Sequence, residues 1–237
     1  MIRRVAIQIS GQVRPCWKEV YDMWTNYKEI APEGIEVDFF LATWDSDNYQ
    51  GGGDLFIEER IDKLPDNYYD VDSIVKYYNR WGRVNTLRRQ YEYDNDIKYD
   101  LVLQVRPDYF VKKFWKAIYK LNDEIINDTN PQAVLNDNII YSTNVIEVHK
   151  VEGHPQWQGY HFIDDKLFMG TPAAINYLTN FSVEHDRGDE QRKYPLTYHV
   201  GLAHWLLDGR LVVQVLKDLR GGLSRDFDSF TDYMNSK

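Results

Sequence analysis

Val5-Ala6-Ile7-Gln8-Ile9 is a short run rich in β-branched residues, and it stops abruptly at Ser10-Gly11-Gln12. A run of this kind entering a tight loop reads as a first, buried strand. Pro15 suits the first turn of a helix reaching about Ile30, on which Val20, Met23, Trp24 and Tyr27 recur at the spacing of one apolar face. Pro32-Glu33-Gly34 ends that helix. Ile35 to Ala42 then reads as a second core strand opening into the polar tail Thr43-Trp44-Asp45-Ser46-Asp47. One strand–helix–strand unit at the start commits a chain to a parallel sheet with a right-handed crossover. Everything that follows has to extend that sheet or cover it.

The next segment, Asn48 to Asn79, contains Gly51-Gly52-Gly53 and many Asp and Tyr without a sustained period. It is expected as a mobile excursion holding one short strand or helix. Helical spacing returns from Trp81 to Tyr93, with Val84, Leu87, Arg88 and Tyr91 on one stripe. Arg88 therefore sits on or beside an apolar face, where it needs an anionic partner or a route to water. Tyr99 to Val105 is the third core strand, and Pro107, which has no N–H for a ladder, stops it. Phe114 to Ile126 has helical spacing, and Val134 to Tyr141 reads as one or two short strands. Ile146–Val151 and Tyr160–Ile163 are strand candidates around the loop from Gly153 to Gly159, and Lys166–Met169 is another. Thr171-Pro172 opens a helix to about Phe181, since Thr caps well and Pro fits the first helical position. A charged segment from Val183 to Tyr194, a helix from Pro195 to Asp208 and a strand from Leu211 to Val215 complete the chain. The fold expected is α/β, with a mostly parallel central sheet and helices on both faces. Without repeats or linkers, residues 1–237 are expected as a single domain.

Composition narrows the function classes. With 28 Lys+Arg against 37 Asp+Glu the net charge is −9, which argues against a nucleic-acid binder that neutralises a phosphate track. The single Cys16 cannot form an internal disulfide or a cysteine-ligated zinc site. No apolar run approaches the ~18–20 residues of a membrane span, so a cytoplasmic protein without a transmembrane segment is expected.

In open α/β sheets, ligands bind outside the carboxyl ends of the parallel strands. Those ends are Ser10-Gly11-Gln12-Val13-Arg14, Thr43-Trp44-Asp45 and Arg106-Pro107-Asp108. Brought to one edge they offer a close backbone approach, an aromatic face, positive charge and a carboxylate, the chemistry that holds a nucleotide diphosphate and a divalent metal. Each also has a plainer reading: Gly11 as a simple turn, Arg14 as a surface cation, Arg106 and Asp108 as partners of their neighbours.

In chain order, Val5–Arg14 with its Ser-Gly-Gln-x-Arg loop, Val37–Asp45 ending in Thr-Trp-Asp, Tyr99–Tyr109 with Arg-Pro-Asp-Tyr, and Asp164–Gly170 as Asp-Asp-Lys-x-Phe-Met-Gly span most of the sequence. Together they resemble small GT-A-type glycosyltransferases of the kind found in surface-polysaccharide clusters and some viruses. The resemblance implies transfer of a sugar from a nucleotide-sugar donor to a hydroxyl of a glycan or other acceptor, usually with Mn²⁺ or Mg²⁺ on the diphosphate. It implies that Ser10, Gly11, Gln12, Arg14, Asp45, Arg88 and Arg106 serve the donor. Arg106-Pro107-Asp108 would stand where such enzymes carry an Asp-x-Asp metal motif. Here the first acidic position is Arg, which can itself supply charge to the diphosphate and lessen dependence on a metal.

Asp164 and Asp165 are the acid/base candidates that this resemblance implies. Neighbouring side chains on an extended segment point to opposite faces, so one of the two reaches the sugar. Their alternative is to cap the Thr171 region or pair with Lys166. Trp157 and Tyr160, in the loop Trp157-Gln158-Gly159-Tyr160-His161, suit stacking on a sugar face or burial in the core. Asp108 and His199 are the metal candidates. His199 and His204 are five apart, about 140° around a helix, and make poor joint ligands. Two rival functions remain: a nucleotide-sugar- or glycan-binding module of this fold without turnover, and a metal-dependent hydrolase.

Overall fold

The computed structural model describes residues 1–49, 51, 53–63, 73–129, 135–143, 145–147, 161–163, 166–181, 200–216, 219–223 and 235. Seven strands form one sheet: β1 (Arg4–Ser10), β2 (Glu36–Trp44), β3 (Glu58–Asp62), β4 (Leu101–Val105), β6 (Ile139–Ser142), β9 (Leu167–Gly170) and β10 (Val212–Val215). Their spatial order is β10-β6-β9-β4-β1-β2-β3. β1 pairs in parallel with β2 and β4, β2 with β3, and β6 with β10, whereas β9 runs antiparallel between β4 and β6. β5 (Tyr109–Lys112) with β11 (Arg220–Leu223), and β7 (Val145–Glu147) with β8 (His161–Ile163), form two small antiparallel ribbons.

Alternation along the strands sorts the core into two layers. Val5, Ile7 and Ile9 of β1, Val37, Phe39 and Leu41 of β2, and Leu101, Leu103 and Val105 of β4 share one cluster with α1 (Trp17–Glu29) and α3 (Phe114–Ile126). Ala6, Phe40, Ala42 and Val102 share the other with α2 (Ser73–Asp94), α4 (Pro172–Thr179) and α5 (Val200–Asp208). Helices thus cover both faces, which is why these strands read as near-continuous apolar runs. Trp24 and Trp81, both fully buried, belong to the first and the second layer respectively. Truncating a side chain of that kind costs about 3–5 kcal/mol.

The expected α/β architecture, mostly parallel with helices on both faces, is the one observed, and the local differences have clear causes. α2 begins at Ser73, eight residues before the expected start, because buried Arg80 interrupts its apolar stripe. β5 and β11 were not expected; Pro107 ends β4, but the chain re-enters a strand two residues later. The α4 cap is as expected, since the Thr171 hydroxyl accepts from the Ala174 N–H at 3.2 Å. The excursion after Asp45 packs along α1 rather than standing clear of it. Tyr49 meets Trp17, and the Asp54 and Leu55 carbonyls accept from Lys28 Nζ at 3.2 Å.

At the amino edge of the sheet the Tyr99 hydroxyl donates to Asp38 Oδ2 at 2.7 Å. Burial pushes the Asp38 carboxyl above its ordinary value, outweighing that hydrogen bond and the Arg4 charge, which pull it down. A carboxylate raised on folding costs stability at neutral pH, and the cost disappears once the pH falls below its unfolded value. Asp38→Asn keeps an acceptor for Tyr99 and removes the charge. It should unfold at higher urea than the parent at pH 7, with the two midpoints converging near pH 3.

Candidate functional site

The winding direction of the sheet reverses at β1. From β1 the chain moves outward through β2 and β3, then returns to place β4 on the other side of β1. The carboxyl ends of two parallel strands separated by such a reversal leave a crevice between the loops that follow them. Register brings the ends level, with Ser10 beside Ala42, Ile9 beside Val105, and Trp44 beside Asp62. Gly11-Gln12, Thr43-Trp44-Asp45 and Arg106-Pro107-Asp108 therefore lie along one rim.

Each segment is fixed by its own contacts. Ser10 is fully buried and its hydroxyl accepts from Gln104 Nε2 at 2.6 Å, which ties the end of β1 to β4. Gly11 has φ +129°, a conformation that favours glycine, and its N–H donates to the Ala42 carbonyl at 3.1 Å. The chain leaves the sheet there: Gln12 is half-buried and Arg14 exposed. Asp45 is also exposed, and its N–H donates to the Asp62 carbonyl at 2.9 Å.

Arg106 and Asp108 face each other across Pro107 in a two-pronged pair, Nε to Oδ1 and Nη2 to Oδ2, both at 2.8 Å. The Asp108 side chain is 5% exposed and that of Arg106 21%. A guanidinium clamped in this way presents a pre-oriented positive edge at the rim. The Arg106 N–H also donates to the Lys166 carbonyl at 3.1 Å, so the strand entering β9 joins the same edge.

A second arginine escaped the sequence reading. Arg80, from the first half of α2, lies 3.8 Å from the ring centroid of Trp44 and pairs with Asp62, so cation, indole and carboxylate meet at the ends of β2 and β3. Burial raises the Asp62 carboxyl, but hydrogen bonds and charge from Arg80 and Arg60 more than reverse this, and it titrates below its ordinary value. Trp44 was the one legible member of this group; Arg80 fell between the aperiodic stretch ending at Asn79 and the helix expected from Trp81.

Below the rim on the same face runs a buried polar seam. Gln8 Nε2 donates to Asn85 Oδ1 at 3.1 Å, and Asn85 Nδ2 to Asn176 Oδ1 at 3.0 Å. Arg88 Nη2 donates to Asn85 Oδ1 at 2.9 Å and to Asn176 Oδ1 at 2.5 Å, and its Nη1 pairs with Glu92. Arg88 is fully buried, two turns further along α2 than Arg80 and away from the strand ends, so its position does not fit the expected contact with a donor. The anionic partner required by its place on the apolar stripe is Glu92. The signal that was missed was a glutamine inside each of two buried strands, Gln8 and Gln104.

Asp164, Asp165, Trp157, Tyr160 and His199 lie outside the described residues. Among the described residues no three His, Cys, Asp or Glu side chains group so as to hold a metal ion, and both Asp108 oxygens accept from Arg106. Of the two expected metal candidates only Asp108 is described, and with both oxygens taken by Arg106 it does not fit the role of a Mn²⁺ or Mg²⁺ ligand. No described helix is long and apolar enough to cross a membrane.

No family model matches the chain, and no curated protein matches it. Among solved structures it is similar to the galactosyltransferase LgtC, whose crystal structure holds donor and acceptor sugar analogues. The identity is 15% over 88% of this chain and 72% of that one, with a TM-score of 0.40. So remote a likeness assigns no role to any residue.

Removing Arg88 leaves Glu92, Asn85 and Asn176 short of donors inside the fold. Arg88→Ala should lower unfolding free energy by about 3 kcal/mol in urea titrations, the penalty for breaking a buried pair.

Proposed function

We propose that the chain is a nucleotide-sugar-dependent glycosyltransferase, a single GT-A-like domain over residues 1–237 that moves a hexosyl group onto a hydroxyl of a glycan or other acceptor. The observation that carries this is the meeting of the Ser10–Arg14 loop, Asp45 and the clamped Arg106 along one rim at the reversal point of the sheet. The sequence resemblance adds the reaction class, with polysaccharide assembly in the cytoplasm as its setting.

In this reading the backbone after Ser10 and the Arg14 side chain approach the donor diphosphate, while Asp45 accepts from the nucleoside. Arg106 stabilises the charge that develops on the departing diphosphate, and its orientation is set in advance by Asp108. A carboxylate from Asp164 or Asp165 takes the proton of the acceptor hydroxyl as that oxygen attacks the anomeric carbon. The bond to the diphosphate breaks with its electron pair remaining on the phosphate oxygen. Support for that pair comes from the next residue, Lys166, whose carbonyl is bonded to the Arg106 backbone. Trp157 and Tyr160 are assigned to the acceptor sugar. No step is routed through a metal, because the described residues do not furnish its ligands.

A second reading, a donor-binding module without turnover, is favoured by one observation: Asp108, the remaining acidic residue of the motif, is taken up by Arg106. Transfer or slow donor hydrolysis by pure protein decides between the two.

A thermal-shift panel of UDP, GDP and their sugars, with and without Mn²⁺, tests the site. Ligand at a hundredfold over its Kd adds about 2.7 kcal/mol, or roughly 5–10 °C for a chain of this size. One nucleotide should produce such a shift, and Arg106→Ala should abolish most of it. Undiminished affinity of Arg106→Ala in calorimetry would contradict the pocket. Of Asp164→Asn and Asp165→Asn, one should lose about 10²–10⁴-fold in transfer while still binding donor, and full turnover in both would remove the proposed base.

A further inference from the structure

β5 begins on the residue after the Arg106–Asp108 clamp, and it is held along both of its edges. On one side α1 binds it: the Val111 N–H donates to Met23 Sδ at 3.2 Å, and the Val111 carbonyl accepts from the Tyr27 hydroxyl at 2.8 Å. On the other side lies β11, in register with Gly221 opposite Val111 and Leu223 opposite Tyr109.

The two strands approach most closely at Gly221. The Tyr109 ring reaches across to this diagonal neighbour and fills the space that a side chain at 221 would need, so that a Cβ there would overlap ring carbons and the hydroxyl oxygen. An aromatic ring laid over a cross-strand glycine pins both strands in one register. Tyr109 has little freedom to retreat. It is 2% exposed in the core layer shared with α1 and α3, and its hydroxyl lies 3.3 Å from Thr143 Oγ1, just past the carboxyl end of β6. A close-packed interior transmits a displacement of such a ring rather than absorbing it. The chain neighbour is Asp108, 4% exposed, whose two oxygens set the plane of Arg106. A single planar peptide joins the two residues, so a shift of the Tyr109 backbone is carried to Asp108.

We propose that Gly221 is a positioning residue of the strand-end site: by leaving room for the Tyr109 ring it fixes Asp108, and through Asp108 the Arg106 guanidinium that faces a donor diphosphate. β11 thus braces a rim built by β1, β2 and β4. The proposal rests on the reading of that rim as a nucleotide-sugar site.

The Arg106 Nε–H, bonded to Asp108 Oδ1, reports on the clamp without any ligand. Its hydrogen exchange is followed by NMR on the full chain in the parent, Gly221→Ala, Tyr109→Leu and the double variant, and UDP and GDP affinities are measured by calorimetry. Gly221→Ala should speed that exchange about tenfold or more, the worth of one charge-assisted bond, and weaken the nucleotide that the parent binds by a similar factor. Tyr109→Leu should do likewise, and adding Gly221→Ala to it should cost nothing more, because the glycine acts through the ring. A merely structural glycine would lower the thermal midpoint and leave both readings unchanged well below it. Unmoved exchange, unchanged affinity or additive losses overturn the proposal. Where Gly221→Ala alone does not fold, the double variant against Tyr109→Leu carries the comparison, with equal exchange supporting the proposal and a further loss overturning it. Failure of the parent itself to bind either nucleotide overturns the donor reading, and the proposal falls with it; binding by the parent beside an unmoved clamp overturns the proposal alone.

Discussion

Parallel pairing on both sides of β1 is the constraint on which the other features depend. Parallel strands end together, so the chain must leave β1, β2 and β4 at the same edge, and each exit brings a loop to it. Burial under helices on both faces strips those strands of polar side chains except where a partner waits. The polar side chains that survive are either tied into the fold, as Gln8 and Gln104 are through their Nε2 groups, or collected at the rim. Ser10 does both, since it is buried, bonded to Gln104, and directly followed by the glycine at which the chain turns out.

The two buried arginines of α2 show how position along one helix separates structure from chemistry. α2 runs opposite to the parallel strands. Arg80 stands over Trp44 at their carboxyl ends, Asn85 lies against Gln8 at mid-strand, and Glu92 accepts from the Tyr99 N–H at their amino ends. Arg88, between the last two, is enclosed by Asn85, Asn176 and Glu92, and serves to register α2 and α4 against the sheet. Burying a charge is costly, and partners at both Nη1 and Nη2 are what make it tolerable, although the buried Nε has none among the described residues. Arg106 differs in kind: one carboxylate fixes its plane, yet a fifth of its side chain remains exposed at the edge where a ligand would lie.

Most of the sheet was legible because periodicity and punctuation agreed. Ile7 and Ile9, Leu101 and Leu103, and the breaks at Gly11, Gly34 and Pro107 placed β1, β2 and β4, and α3 was read to the residue at Phe114–Ile126. From those strands the shared rim followed. What stayed hidden depended on contacts between distant segments. The antiparallel sense of β9 is set by its neighbours β4 and β6, the role of Arg80 by Trp44 and Asp62, and the fate of Arg88 by Asn176, 88 residues further on. No local period encodes such meetings. Arg88 lay on an apolar stripe, and the sequence alone left open whether it met an anionic partner or reached water.

The central claim is that the crevice between the ends of β1 and β4 takes a nucleoside diphosphate. Backbone amide NMR during titration with UDP or GDP tests it most directly. The account predicts saturable shifts that move together at Gly11, Gln12, Asp45 and Arg106, while Asn85, Arg88 and Asn176 stay still. Shifts confined to another face of the molecule, or none at saturating nucleotide, would contradict it.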